Sequence, residues 1–185
     1  MFKRLVILLV SLVFLVGSAG GCFNIPNLSG NWEGVLASSK NSNVPISITI
    51  TNLVQDQNGY FSGGVVEVTY VNPNNPTVQY TLRADVYSGN ADPWRARIHA
   101  RRDVTEDMTP SLIALILLMT NNPITVSSGD YYDLAFTFPY TYGCSGGVLN
   151  SLVGPYEFNI YVHTPSGVIE TLFDEGTATL MRIER

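Results

Sequence analysis

Strict alternation of apolar and polar residues recurs along this chain, and it constrains the fold more than any other feature. Ile46, Ile48 and Ile50 alternate with Ser47, Thr49 and Thr51. Val78, Tyr80, Leu82, Ala84 and Val86 alternate with Gln79, Thr81, Arg83, Asp85 and Tyr87. Trp94, Ala96, Ile98 and Ala100 alternate with Arg95, Arg97, His99 and Arg101, and Tyr156, Phe158, Ile160 and Val162 alternate with Glu157, Asn159, Tyr161 and His163. Successive side chains of a strand point to opposite faces, so a period of two puts one set on a core and the other in water. Helices explain such runs poorly. The expectation is an all-β domain, an antiparallel meander closed as a barrel or folded as a two-sheet sandwich.

Turn residues fall between the runs. Asn58-Gly59 suits a type I′ hairpin, which needs positive φ at both central residues. Asn72 to Pro76, Gly89 to Pro93, Ser127 to Asp130, Gly143 to Gly147 and Pro165 to Gly167 supply further breaks. One segment departs from the pattern. Thr109-Pro110-Ser111 precedes Leu112 to Met119, and Asn121-Asn122-Pro123 follows. Thr as cap, Pro in the first turn and a Leu/Ala/Met body predict a short apolar helix near 110–120. A buried strand is the alternative for so short a run. Such a helix covers an open core or forms a lid over a ligand.

The N-terminus has its own grammar. Lys3 and Arg4 precede an apolar run from Leu5 to Val16, followed by Gly17-Ser18-Ala19-Gly20-Gly21-Cys22. A charged start, a short apolar core and a small-residue exit read as a secretory signal peptide. The run is too short for a spanning helix, which needs roughly 20 residues. Ala19-Gly20-Gly21-Cys22 resembles the lipobox of bacterial lipoproteins, with Ala where that family usually has Leu. The resemblance implies that Cys22 carries lipid, palmitate among its acyl chains, and becomes the first mature residue. It implies a cell-envelope location, at the outer membrane in a cell with two membranes. The organisation expected is a signal peptide over 1–21, a lipid-anchored tether over 22–27 and one all-β domain over 28–185. The tether is short, so the domain should sit close to the membrane.

Cysteine usage bears on the same point. The chain has two, Cys22 and Cys144. Lipid on Cys22 leaves Cys144 without a partner in the chain, whereas an unlipidated Cys22 could pair with it in an oxidising compartment. Without residues 1–21, eight basic residues face 15 acidic ones. That balance disfavours nucleic acid, whose phosphates require local positive charge.

Gly30-Asn31-Trp32 opens the first strand, and Arg182 stands in the last, Leu180-Met181-Arg182-Ile183. The pair resembles the Gly-x-Trp start of calycin barrels, the superfamily of lipocalins and avidins. The resemblance implies that Trp32 closes the barrel base and that Arg182 lies across it. With the chain ending at Arg185, no lipocalin C-terminal helix is expected, which points to a compact barrel of the avidin type. The helical segment near residue 112 fits neither family.

Other patterns bear on possible chemistry. Gly143-Cys144-Ser145-Gly146-Gly147 matches Gly-x-Ser-x-Gly, but that elbow needs a strand-to-helix turn and a histidine base, here His99 or His163. A glycine-rich loop fits its surroundings better, and no catalytic residue is assigned. Arg95, Arg97, His99 and Arg101 share a strand face, with Arg102 following. They form either a solvated face neutralised by Asp85, Glu67 or Asp103 or an anion-binding or docking stripe. Asp103, Glu106 and Asp107 lack the ligand spacing of a calcium loop and should charge the helix N-terminus. No metal or cofactor site is indicated.

These readings lead to an envelope lipoprotein whose barrel binds an apolar small molecule, with Tyr80, Phe136 and Phe158 as lining residues. The alternatives are a docking module with a solid core, partnered by an envelope protein, and a hydrolase centred on Ser145. A hollow interior favours the first, a packed one with an exposed patch the second.

Overall fold

The computed structural model describes residues 24–120, 124–140 and 148–183. Cys22, Cys144, Ser145, the signal segment and Asn121-Asn122-Pro123 lie outside the described residues. Eight antiparallel strands follow one another around a closed barrel: β1 (Gly30–Ser38), β2 (Ile46–Gln55), β3 (Phe61–Val71), β4 (Gln79–Ala91), β5 (Arg95–Asp103), β6 (Tyr131–Pro139), β7 (Ser151–Thr164) and β8 (Gly167–Ile183). Each pairs with its sequence neighbour, and β1 closes the ring against β8 from Asn31↔Ile183 to Ser38↔Gly176. The barrel alternative therefore holds and the sandwich does not.

The period of two decides the inside. Ile46, Ile48, Ile50, Leu82, Ala84, Val86, Ala96, Ile98, Ala100, Tyr156, Phe158 and Ile160 are all buried. Trp94 leaves its series: it precedes β5 in the β4–β5 turn and is exposed. At Gly34 the strands approach so closely that a Cβ would run into the Thr179 carbonyl oxygen. Glycine is required there by the neighbouring backbone.

The Asn58-Gly59 turn differs from the expected type I′. Gly59 has φ 89°, but Asn58 is not in the positive-φ region. The Asp56 carboxylate accepts the Asn58 and Tyr60 backbone N–H groups at 2.9 and 2.8 Å, and the Gly59 N–H reaches the Asp56 carbonyl at 3.1 Å. An Asx side chain thus organises a turn that needs one left-handed residue, not two.

The helix α1 (Thr109–Thr120) lies in the β5–β6 connection. Leu112, Leu115, Ile116 and Met119, at helical spacing, are its buried face, and Leu117 stays exposed. It packs on β4 and β8 and covers one end of the barrel, here the top. Asn41 from the β1–β2 loop donates to the Leu118 carbonyl at 3.3 Å. Thr109 does not cap as expected, because its hydroxyl donates back to the Thr105 carbonyl at 3.1 Å. Nor do the nearby carboxylates charge the first turn, which contains no acidic residue. Asp107 instead accepts the Thr105 hydroxyl at 2.6 Å, and Asp103 pairs with Arg101 at 3.7 Å.

The other end, the base, is closed by Trp32. Its indole is fully buried and donates to the Leu28 carbonyl at 3.0 Å. Arg182 is its register partner on β8, with the guanidinium 5.0 Å from the ring centre. The same guanidinium donates to the Asn27 and Ser29 carbonyls, both at 2.8 Å. The entering chain is thereby tied to the last strand. Gly30, at φ 124°, has open space around its Cβ position, so it serves conformation and not close approach.

Candidate functional site

A ligand held by the expected lining residues would occupy the barrel interior. Of the expected lining residues, Phe136 and Phe158 do face inward, and Tyr80 is half-buried near the top of β4. They line none of the hollows found among the described residues. Phe136 stacks on Phe138 with ring centres 6.0 Å apart and tilts against Tyr156 at 6.4 Å. Phe158 meets Phe173 edge-on at 4.7 Å and Tyr132 at 5.5 Å. Val66, Val68, Tyr70, Tyr132, Leu134, Phe158 and Phe173, from four different strands, each expose 0% of their surface, which leaves no water-sized space beside them. An eight-stranded barrel is just wide enough for side chains to fill, and here they fill it.

Near the top the interior turns polar. β8 carries a bulge in which Phe158 opposes Asp174 while Asn159 opposes Leu172. Phe173 is the extra residue, and both Phe173 and Asp174 are therefore driven inward. Asp174 accepts the Ser38 hydroxyl at 2.6 Å, the Tyr156 hydroxyl at 2.8 Å and the Glu175 N–H at 2.9 Å. Burial outweighs these bonds and raises its carboxyl above the ordinary value. Burial, then the charge of the nearby Asp174 carboxylate, also raises the Tyr70 phenol.

A raised folded-state pKa on an acid means that the folded chain holds its proton more tightly. The stabilisation is fully present below the ordinary value of 3.8 and is lost as pH rises through the raised value. Asp174→Asn removes this titration but keeps an acceptor for Ser38 and Tyr156. It should flatten the fall in stability between pH 4 and neutrality, read as urea midpoints across that range. An unchanged slope would assign the pH dependence elsewhere.

Three open hollows lie on the outer face of β4 to β7. One of ≈ 450 Å³ is lined by Asp85, Tyr87, Arg101, Arg102, Asp103 and Thr105. A second, ≈ 440 Å³, shares Tyr87 and runs past Tyr60, Asn90, Arg97 and His99. A third, ≈ 320 Å³, continues from Arg97 and His99 to Thr137 and Glu157. Shared residues make the three contiguous along β5.

Side-chain geometry on this face is specific. The Tyr87 hydroxyl donates to Asp133 at 2.8 Å, and the other Asp133 oxygen lies 3.9 Å from His99 Nδ1. The Tyr87 phenol is raised by burial and by the Asp133 carboxylate, so it is a neutral donor at pH 7. Arg101 lies 3.5 Å over the Tyr131 ring, which stacks on Tyr161 at 4.5 Å. Tyr161 in turn donates to Glu170 at 2.8 Å. Towards the top, Asp130 accepts the His163 N–H at 2.8 Å and the Ser127 N–H at 2.8 Å. Its burial opposes charge, but these bonds win and hold its carboxyl below the ordinary value.

The arginine stripe is largely neutralised, as expected of a solvated strand face. Arg102 pairs with Asp85 at 3.6 Å and Arg101 with Asp103 at 3.7 Å, while Arg95 takes Asp92 at 3.3 Å. Glu67 goes instead to Arg83 at 3.7 Å, because β3 and β4 set those two opposite each other. Arg97 has no ion pair among the described residues, and it lines two of the hollows. This face can stack, hydrogen-bond and pair with an anionic group. Tyr87 and Asp133 lie 46 residues apart, and no local pattern announces their meeting. The chain matches no family model, no curated protein and no solved structure.

Proposed function

We propose that this chain is an envelope lipoprotein, anchored through Cys22, whose solid barrel displays the outer face of β4 to β7 for docking to another envelope protein. One observation carries the reading. The interior is filled by aromatic side chains, whereas contiguous hollows lined by arginine and tyrosine lie outside. Those residue types are enriched where protein partners gain most of their binding energy. The Trp32–Arg182 closure supports a kinship with calycin barrels, used here as a scaffold and not as a container.

A photoreactive residue at Arg97, on β5 in the middle of this face, tests the reading in cells. It should capture one defined partner, and the same probe at Thr49, on β2, should not. Tyr87→Ala should weaken that contact by about tenfold, the effect of an ordinary hot-spot truncation. Equal capture from both positions, or none from Arg97, would count against docking through this face.

An apolar small molecule inside the barrel is the second reading, and the closed eight-stranded barrel with Phe136 and Phe158 facing inward supports it. Such a ligand needs α1 to lift and the aromatic core to part. Saturable binding of a fatty acid, lost on Phe158→Trp, would move the reading to the interior.

A further inference from the structure

The base of the barrel carries its own pattern of exposed apolar side chains. Ile25, Val54, Tyr60, Trp94 and Val148 are all large, hydrophobic and exposed, and all lie at this end; Tyr60 and Trp94 are each 60% exposed. They come from the entering chain, the end of β2, the β2–β3 turn, the β4–β5 turn and the stretch before β7. Backbone bonds stitch these loops into one rim. The Ala91 N–H reaches the Gly59 carbonyl at 2.8 Å and the Tyr140 N–H reaches the Trp94 carbonyl at 2.8 Å. Asp56 and Asp92, the carboxylates of the two turns, are engaged by the turn N–H groups, and Asp92 also by Arg95.

The chain before residue 24 leaves from this same end, because Leu28 is buried there and Arg182 holds Asn27 and Ser29. From Cys22 to Leu28 the backbone can span at most about 20 Å, at roughly 3.3–3.6 Å per residue. A lipid on Cys22 thus brings the base, and no other part of the barrel, to the bilayer. We infer that the rim of Ile25, Val54, Tyr60, Trp94 and Val148 seats in the headgroup region of the phospholipid bilayer and holds the barrel upright on it. Tyrosine and tryptophan favour that depth, where an aromatic body is buried and its polar edge stays wet. The seating is driven by apolar contact, since the domain is acidic and gains nothing from anionic lipid. This inference rests on the anchor reading for its orientation, and it leaves the β4 to β7 face free at the side.

The chain has two tryptophans, Trp32 buried and Trp94 on the rim, which makes fluorescence a direct test. The full chain, purified from membranes, is reconstituted into phosphatidylcholine vesicles containing lipid brominated near the headgroup end of its acyl chains. Trp94 emission should shift to the blue and lose most of its intensity, and the Trp94→Phe protein should keep its remaining emission unquenched. Lipidated protein that floats with the vesicles yet shows no quenching would overturn the seating while leaving the anchor intact. If mass spectrometry finds Cys22 without lipid, the same vesicles added to that protein decide the matter alone. Quenching then supports the rim, and its absence rejects it.

Discussion

Trp32→Ala is expected to destabilise the barrel by about 3 to 5 kcal/mol, the usual range for truncating a buried large aromatic. The indole is wholly enclosed, with Ile50 on one side and Arg182 on the other by strand register. Its loss removes the floor of the core and frees the Leu28 carbonyl. Arg182→Ala should cost less, because a cation over an indole is worth about 0.5 to 2 kcal/mol. It also removes the two bonds to the entering chain. The double variant should fall short of the sum, since the residues touch. Denaturant unfolding of the four proteins measures the coupling. Strict additivity would mean that the two side chains act separately despite their 5.0 Å approach.

Cys22→Ser is expected to abolish membrane retention, or to leave the signal segment uncleaved. Cys22 precedes the first strand, which begins at Gly30, so folding should be unaffected. Fractionation, with mass spectrometry of the N-terminal peptide, reads the result. Wild-type protein recovered soluble and without lipid would sink the anchor, and the docking face would then need a different address. The rim adds only weak, reversible affinity by comparison, because a few side chains at an interface do not replace an acyl chain.

If both outcomes hold, the domain's architecture follows a simple division. The base meets the membrane, the top is closed by α1, and the side formed by β4 to β7 is what a neighbouring protein can reach. The filled interior makes the scaffold stiff. The polar cluster around Asp174 then reads as a structural feature, a bulge that turns a carboxylate inward where Ser38 and Tyr156 can satisfy it.

The sequence by itself determined most of β2, β4, β5 and β7 with their inward sets, Trp94 excepted, and it favoured the short helix over a buried strand, because these rest on local periods and propensities. It also marked Trp32 and Arg182, since a terminal pair in a meander has one way to meet if the ring closes. Closure itself was a tertiary decision: alternation is the same in a barrel and a sandwich, and only the β1–β8 register separates them. So was the state of the core. Tyr80, Phe136 and Phe158 are apolar and inward-facing in a hollow barrel or a full one, and the difference lies in whether facing rings meet across the axis. Tyr87, Asp133 and Arg97 were likewise unreadable as a site, because polar positions on separate strands become neighbours only through register. Asp174 came inward through a single-residue bulge that reverses the parity of β8, an event that no period in the sequence records. The rim needed both levels. Composition shows exposed apolar residues nowhere, and only the closed barrel gathers Ile25, Val54, Tyr60, Trp94 and Val148 at the end from which the anchor departs, because up-and-down strands send alternate turns to the same side.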